Sequence, residues 1–342
     1  MIYLASDYQE GCHPAILAKL QETNFESTPG YGEDAYSESA ARKIRSACGL
    51  PPDAPVHFVT GGTQANMVVI SQALRPYESV VSVSGGHITI HEAGAIEGTG
   101  HKVEVLPEHN GKMDPDELSG FLRLWTEDPN RAHLTKPAMV YITQPTEVGS
   151  VYSKAELEAI YAVTRKYHLA LFIDGARLGY ALASEGADFT LSDIAHLCDV
   201  FYIGGTKVGA LFGEAIVFPD PALARGFFTY RKQRGALLAK GRMLGIQFDV
   251  LFSDDLYVKI SRHAVTEAMR LRDALIKKGY RFFSESPTNQ QFIVLDNSKK
   301  EELARQFVFS EWCPVDEAHS AVRFCTSWAT RSEDIDQLIS CL

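Results

Sequence analysis

Paired cysteines are missing from this chain. Its six, Cys12, Cys48, Cys198, Cys313, Cys325 and Cys341, are scattered without any C-x-x-C spacing. That pattern excludes a disulfide framework and a cysteine-based zinc site, and leaves free thiols of a reducing compartment. Nor is there an excess of base: 33 Lys and Arg stand against 43 Asp and Glu, a formal net charge of −10 at pH 7. No segment gathers Lys and Arg without interleaved acids or apolar residues, so nucleic acid is not an expected partner. No stretch approaches the roughly 20 uncharged apolar residues of a membrane span. The opening MIYLASDYQEG has neither the basic nor the long apolar region of a secretory leader. A cytoplasmic protein without membrane association is the expectation. Internal repeats, low-complexity tracts and flexible linkers are also missing, which removes solenoids and tethered modules from consideration.

What is present is a globular composition, 45% hydrophobic over 342 residues, enough for one large domain and a smaller one. From residue 56 to 218, short β-branched or aromatic runs alternate with amphipathic ones of helical length. VHFVT (56–60), SVVSVS (79–84), KVEVL (102–106), AMVYIT (138–143), LALFID (169–174), DVFYI (199–203) and EAIVF (214–218) read as strands. QANMVVISQAL, HEAGAIE, PDELSGFLRLW and KAELEAIYAVTRKYH carry apolar residues at three-to-four spacing and read as helices. Asp114 before Pro115, and Ser153 with Glu156 three residues on, are helix start signals. After Pro219 and Pro221 long helical stretches follow, 221–248 and 256–280, then the runs QFIVLD (291–296) and AVRFCTSW (321–328) and a closing helix SEDIDQLISCL. The expected fold class is α/β: a large domain, residues 1–250, with a mostly parallel seven-stranded sheet covered by helices, and a small C-terminal α+β domain, residues 251–342.

Two of the apolar runs end in a reactive side chain. LALFI delivers Asp174, and DVFYI followed by Gly204, Gly205 and Thr206 delivers Lys207. An amine that forms a Schiff base and an acid that keeps a ring nitrogen protonated are what a pyridoxal phosphate enzyme needs. Each residue also has an ordinary reading, Asp174 as a helix N-cap and Lys207 as a surface lysine in a hairpin turn. Gly61, Gly62 and Thr63 lie between a strand and a helix, where free amides and the helix dipole suit a phosphate. A plain βα turn capped by Thr63 fits the same residues. His87 follows SVVSVSGG at the next strand end, placed to stack on a pyridine ring or to move protons. His87 and His91 share helical spacing, but no third ligand accompanies them and no metal is expected. An amino-acid substrate would bring a carboxylate, for which Arg177 and Arg323 are candidates. Surface salt bridging is the plain alternative for both.

SDY (6–8), YGED (31–34), GGTQAN (61–66), GGHITIHEAGA (85–95), KMDPDEL (112–118), IDGARL (173–178) and GGTKVG (204–209) run in order along the chain. In that order they resemble the threonine aldolases of the β-eliminating lyase group, fold type I pyridoxal phosphate enzymes. The resemblance implies that Lys207 holds pyridoxal 5′-phosphate covalently and that Asp174 pairs with the pyridine nitrogen. Gly61, Gly62 and Thr63 would hold the phosphate, His87 would stack on the ring, and Ser6, Arg177 and Arg323 would bind the substrate carboxylate, Arg177 lying beside the cofactor too. Tyr31 would approach the site of a neighbouring subunit in a homodimer or homotetramer, with Lys240 or Arg242 toward a partner's phosphate.

The implied reaction is retro-aldol cleavage of a β-hydroxy-α-amino acid, threonine or allo-threonine, to glycine and an aldehyde. β-Elimination or transamination on the same scaffold stays open, as does a cofactor-binding protein without turnover. Two departures bear on this. Where many relatives carry Asn-Thr-His, this chain reads TQPTEVG (143–149). The acceptor of the hydroxyl proton is then His87, or a water held by Glu147 or His91. Val208 follows the lysine where a polar residue is common, which opens the question of what holds the lysine loop.

Overall fold

The computed structural model describes residues 1–342. The seven runs read as strands between 56 and 218 join one sheet: β1 (Val56–Val59), β2 (Glu78–Val83), β3 (Val103–Leu106), β4 (Lys136–Thr143), β5 (Ala170–Asp174), β6 (Val200–Gly204) and β7 (Glu214–Val217), in the order β1-β7-β6-β5-β4-β2-β3. Neighbours from β3 to β6 are parallel, and β7 runs antiparallel to both β6 and β1. The sheet is therefore mostly parallel, and β1, β2, β4, β5 and β6 end at the same edge. Both faces are buried, as parallel strands with helical crossovers require. Leu171 and Ile173 of β5 enter a core of 43 buried residues on one face, and Phe172 between them enters a core of 19 on the other.

Two of the helix signals are realised closely. Asp114 caps the Pro115–Glu127 helix, and Ser153 with Glu156 forms a reciprocal capping box on Lys154–Tyr167. HEAGAIE, in contrast, is not a helix: a short helix His87–Ile90 precedes it and a turn of 3₁₀ helix, Glu97–Thr99, starts only at its last residue. Ala93 and Gly94 both take positive φ, 51° and 73°, which breaks the helical path between them. The stretch 221–248 likewise divides into Pro221–Ala224, Phe227–Gln233 and the start of Arg242–Leu251, broken at Gly226 and Gly235, both left-handed. Helix Leu256–Lys277 then leads to a four-stranded antiparallel sheet ordered Ser310–Pro314, His319–Cys325, Gln290–Asp296, Phe282–Ser284. The amino terminus joins this part of the molecule. Ile2–Tyr3 pairs in parallel with Phe307–Val308, and Leu4 is buried in the same apolar cluster as Ile293 and Phe324. No helix is long and apolar enough to cross a membrane.

Candidate active site

The shared strand edge brings together Gly61–Thr63 after β1, His87 after β2, Glu147 after β4, Asp174 at the end of β5 and Lys207 after β6. This is the edge where open α/β sheets bind ligands. Two glycines let the acid and lysine segments approach each other. The amide of Gly204 donates to the carbonyl of Gly175 at 2.9 Å. A Cβ on Gly175 would lie 2.0 Å from the Tyr202 carbonyl oxygen, and one on Gly204 would lie 2.2 Å from that of Ala176. Both clashes are with backbone, so neither can be relieved by a side-chain rotation. Gly204→Ala is expected to separate the Asp174 and Lys207 segments and to weaken cofactor binding, measured by titrating apoenzyme with pyridoxal phosphate.

Asp174 is buried, 3% exposed, and each carboxylate oxygen receives two donors. Oδ1 accepts from the Tyr202 hydroxyl at 2.5 Å and the Ala176 amide at 3.0 Å. Oδ2 accepts from the Tyr141 hydroxyl at 2.5 Å and Asn66 Nδ2 at 3.2 Å. It is not a helix cap, since Arg177 occupies that place on the short helix Leu178–Leu182. Asn66 also donates to Glu92 Oε1 at 2.7 Å, and the same oxygen lies 2.7 Å from His87 Nδ1. His87 is thus anchored through Glu92 and leaves Nε2 without a protein partner. Burial alone would lower its pKa, but the hydrogen bond to Glu92 and the nearby charges of Glu147 and Asp174 outweigh that and raise it. His91 is exposed, its ring 5.6 Å from that of His87.

Lys207 lies on a tight loop pinned at its backbone. The Tyr180 hydroxyl donates to the Lys207 carbonyl at 2.5 Å, and the amides of Val208 and Ala210 both bond to the Gly205 carbonyl. Val208 is fully buried and anchors the loop by packing. The polar work falls to Thr206 and Glu214 instead. Thr206 Oγ accepts from the Gly213 amide at 2.9 Å, and Glu214 Oε2 accepts from the Gly205 amide at 3.0 Å. Burial pushes the Glu214 carboxyl up to about 8, against the lowering effects of Thr206 and the Lys207 charge.

Of the carboxylate candidates, Arg177 is already engaged. Its Nε and Nη2 make a two-pronged pair with Asp7 at 2.7 and 3.0 Å, both residues buried. Burial opposes both charges, yet Arg177 holds the Asp7 pKa below its ordinary value and Asp7 raises that of Arg177. Arg177 Nη1 makes no protein hydrogen bond, nor does the hydroxyl of buried Ser6, the sequence neighbour of Asp7. Arg323 donates to the Ala5 carbonyl at 2.8 Å, Ser310 Oγ at 3.2 Å and Gln290 Oε1 at 2.9 Å, tying the small sheet to the amino-terminal segment. Tyr31 stands apart from this cluster. It is 43% exposed with φ 59°, and Lys232 Nζ sits 4.6 Å from its ring centre.

Several residues of the site carried no signal of their own in the sequence. Tyr141 and Tyr202 read as strand interior, Asn66 as helix, and Asp7 as part of a motif in which only Ser6 was singled out. Asn66 and the tyrosines are recognisable only once strands β4, β5 and β6 are side by side.

Pyridoxal phosphate fits these residues. Helix Gly62–Ala73 has Gly61, not Thr63, at its N-cap and no side-chain cap, so its first amides are free for a phosphate. At the other end of the site stands a buried carboxylate for a ring N–H, with a lysine on the neighbouring strand end.

A family model for the β-eliminating lyases matches residues 4–298. The low specificity L-threonine aldolase of Pseudomonas aeruginosa is 31% identical over 98% of this chain and 95% of its own. The solved threonine aldolase of Leishmania major is 41% identical, with a TM-score of 0.96 over 99% of this chain and 98% of its own. An aspartate aminotransferase of Thermus thermophilus, 17% identical at a TM-score of 0.71, shares the fold over this whole chain and 90% of its own. With fold type I architecture, a site that fits pyridoxal phosphate and these relatives, the chain belongs to the β-eliminating lyase family, beside the threonine aldolases, and is a lyase.

Proposed function

We propose that the enzyme cleaves the Cα–Cβ bond of threonine or allo-threonine to give glycine and acetaldehyde. Pyridoxal phosphate, when bound, supplies a carbonyl that condenses with amines and a protonated ring that accepts the electron pair of a breaking bond at Cα. Lys207 is the amine of the chain that would hold it, and Asp174 would keep the ring nitrogen protonated. The amides of Gly61, Gly62 and Thr63 would take the phosphate, and the imidazole of His87 would pack against the cofactor. Ser6 Oγ and Arg177 Nη1, both free, take the substrate carboxylate, with Arg323 holding the Ala5–Ser6 segment in place through the Ala5 carbonyl. Supporting a shared site in a homodimer or homotetramer, the exposed Tyr31 is available to a neighbouring subunit.

The observation that favours bond cleavage over elimination or transamination is Glu147. A retro-aldol step must remove the β-hydroxyl proton, and the turn that replaces Asn-Thr-His offers a half-buried carboxylate with no protein hydrogen bond, felt electrostatically by His87, Tyr141 and Arg177. The turn is held from within and by the segment that begins the small sheet. Thr146 and Ser150 bond each other, Ser284 donates to the Val148 carbonyl and Ser286 to that of Gly149. His87, whose Nδ1 is held by Glu92 while Nε2 stays free, is the alternative acceptor, and a water held by exposed His91 is the third. Aldehyde release from L-threonine, L-allo-threonine and a phenylserine tests the reaction; keto-acid release without aldehyde would overturn it. Glu147→Gln is expected to lower kcat by about 10²–10⁴-fold, the usual scale for a lost general base, with little change in cofactor binding.

A further inference from the structure

The two tyrosines at Asp174 are placed by strand register. Tyr141 on β4 pairs with Phe172 on β5, and Asp174 follows Phe172 by two residues on the same face. The Tyr141 and Phe172 rings meet edge to face at 5.6 Å, and Tyr202 on β6 lies tilted to Phe172 at 6.2 Å. Phe172 thus sits between two phenol rings whose hydroxyls pass it and end on opposite oxygens of the carboxylate. Phenylalanine would fill the core equally well at either position, so the hydroxyls need another explanation than packing. Burial and the Asp174 charge raise the pKa of both phenols well above the ordinary value, which keeps them donors at any working pH. Tyr202 also reaches the phosphate turn: a Cβ on Gly62 would lie 2.9 Å from its hydroxyl.

We infer that Tyr141 and Tyr202 are positioning residues that fix the Asp174 carboxylate toward the cofactor's ring nitrogen and share its negative charge. A buried carboxylate without such donors would take the ring proton itself, leaving a neutral ring that is a poorer electron sink. The other ionisable groups around this carboxylate are His87 and Glu92 beyond Asn66, Glu147 on the turn after β4, and Glu214 on β7. The inference rests on the cofactor seat and not on which bond the enzyme breaks.

The test uses Tyr141→Phe, Tyr202→Phe and the double variant, each reconstituted with pyridoxal phosphate. Three quantities are measured: cofactor Kd, the pH titration of the bound cofactor's visible absorption, and kcat. Each single change is expected to weaken cofactor binding or kcat by roughly tenfold, the scale of one hydrogen bond to a charged group, and the double change by more than either. The absorption titration should move in all three. Replacing Tyr202 by 3-fluorotyrosine keeps the shape and alters only donor acidity, so a shifted titration is expected there too, even if the double variant folds poorly. Unchanged cofactor Kd and unchanged titration in folded variants, with only thermal stability lost, would assign the tyrosines to packing and overturn the inference. A wild-type enzyme that releases no aldehyde, with the absorption shifts still present in the variants, would overturn the proposed reaction and leave this inference standing.

Discussion

A Lys207→Ala enzyme is expected to fold, to bind pyridoxal phosphate reversibly, and to release aldehyde from threonine only at background rate. Borohydride reduction should fix the cofactor to the Lys207 peptide in the wild type and to no peptide in the variant. Folding is expected to survive because what holds the loop is not the ammonium. The Lys207 carbonyl keeps the Tyr180 hydroxyl, Val208 keeps its buried place, and Thr206 and Glu214 keep their backbone partners. Loss of the lysine charge also removes a lowering influence on the pKa of both Asp7 and Glu214. Retained aldehyde release with no fixed cofactor in either protein would remove Lys207 from the chemistry.

The second large effect is on stability. Asp7→Asn breaks a buried pair whose partner cannot leave, and an uncompensated buried guanidinium costs about 3–5 kcal/mol. Urea unfolding measures this directly. Asp7 joins three parts of the chain, since it is itself in the amino-terminal segment, Arg177 follows β5 and Asn289 Nδ2 donates to it at 2.9 Å from the start of the small sheet. Its loss should therefore loosen the small sheet against the large one as well as lower global stability. The pH dependence follows from the direction of the shift. The folded Asp7 pKa lies below its unfolded value, so the pair's contribution is complete above the unfolded pKa, near 3.8, and disappears as pH falls through the folded one. In Asp7→Asn that part of the acid sensitivity should be gone. An unfolding free energy within about 1 kcal/mol of wild type would mean the charge is not confined as the geometry indicates.

Local patterning carried the reading of the fold a long way, and its failures have identifiable causes. Alternating strand and helix lengths found all seven strands of the main sheet, and Asp114 and Ser153 marked helix starts that formed as read. HEAGAIE and the stretch 221–248 were misread because apolar spacing is blind to backbone conformation. Left-handed residues at Ala93, Gly94, Gly226 and Gly235 interrupt both. The glycines flanking Asp174 and Lys207 were visible as turn residues, but their purpose was not. They permit two strand ends to touch at backbone distance, a relation between segments far apart in sequence.

Order of residues along the chain was enough to determine the seven strands of the main sheet, the edge on which Lys207, Asp174, His87 and Gly61–Thr63 gather, and the family, but not the short strands Ile2–Tyr3, Phe282–Ser284, Phe307–Val308 and Ser310–Pro314. Strand termini depend on local propensity and turn residues, and a parallel sheet sends them all to one side. Only the tertiary structure decided how each charge is held. It paired Arg177 with Asp7, turned Arg323 to the Ala5 carbonyl, set Glu147 on a turn gripped by Ser284 and Ser286, and seated Asp174 between two phenols. Those arrangements are made by side chains from different elements meeting in low-dielectric surroundings, where the partner sets the charge, and sequence spacing does not encode which partner arrives.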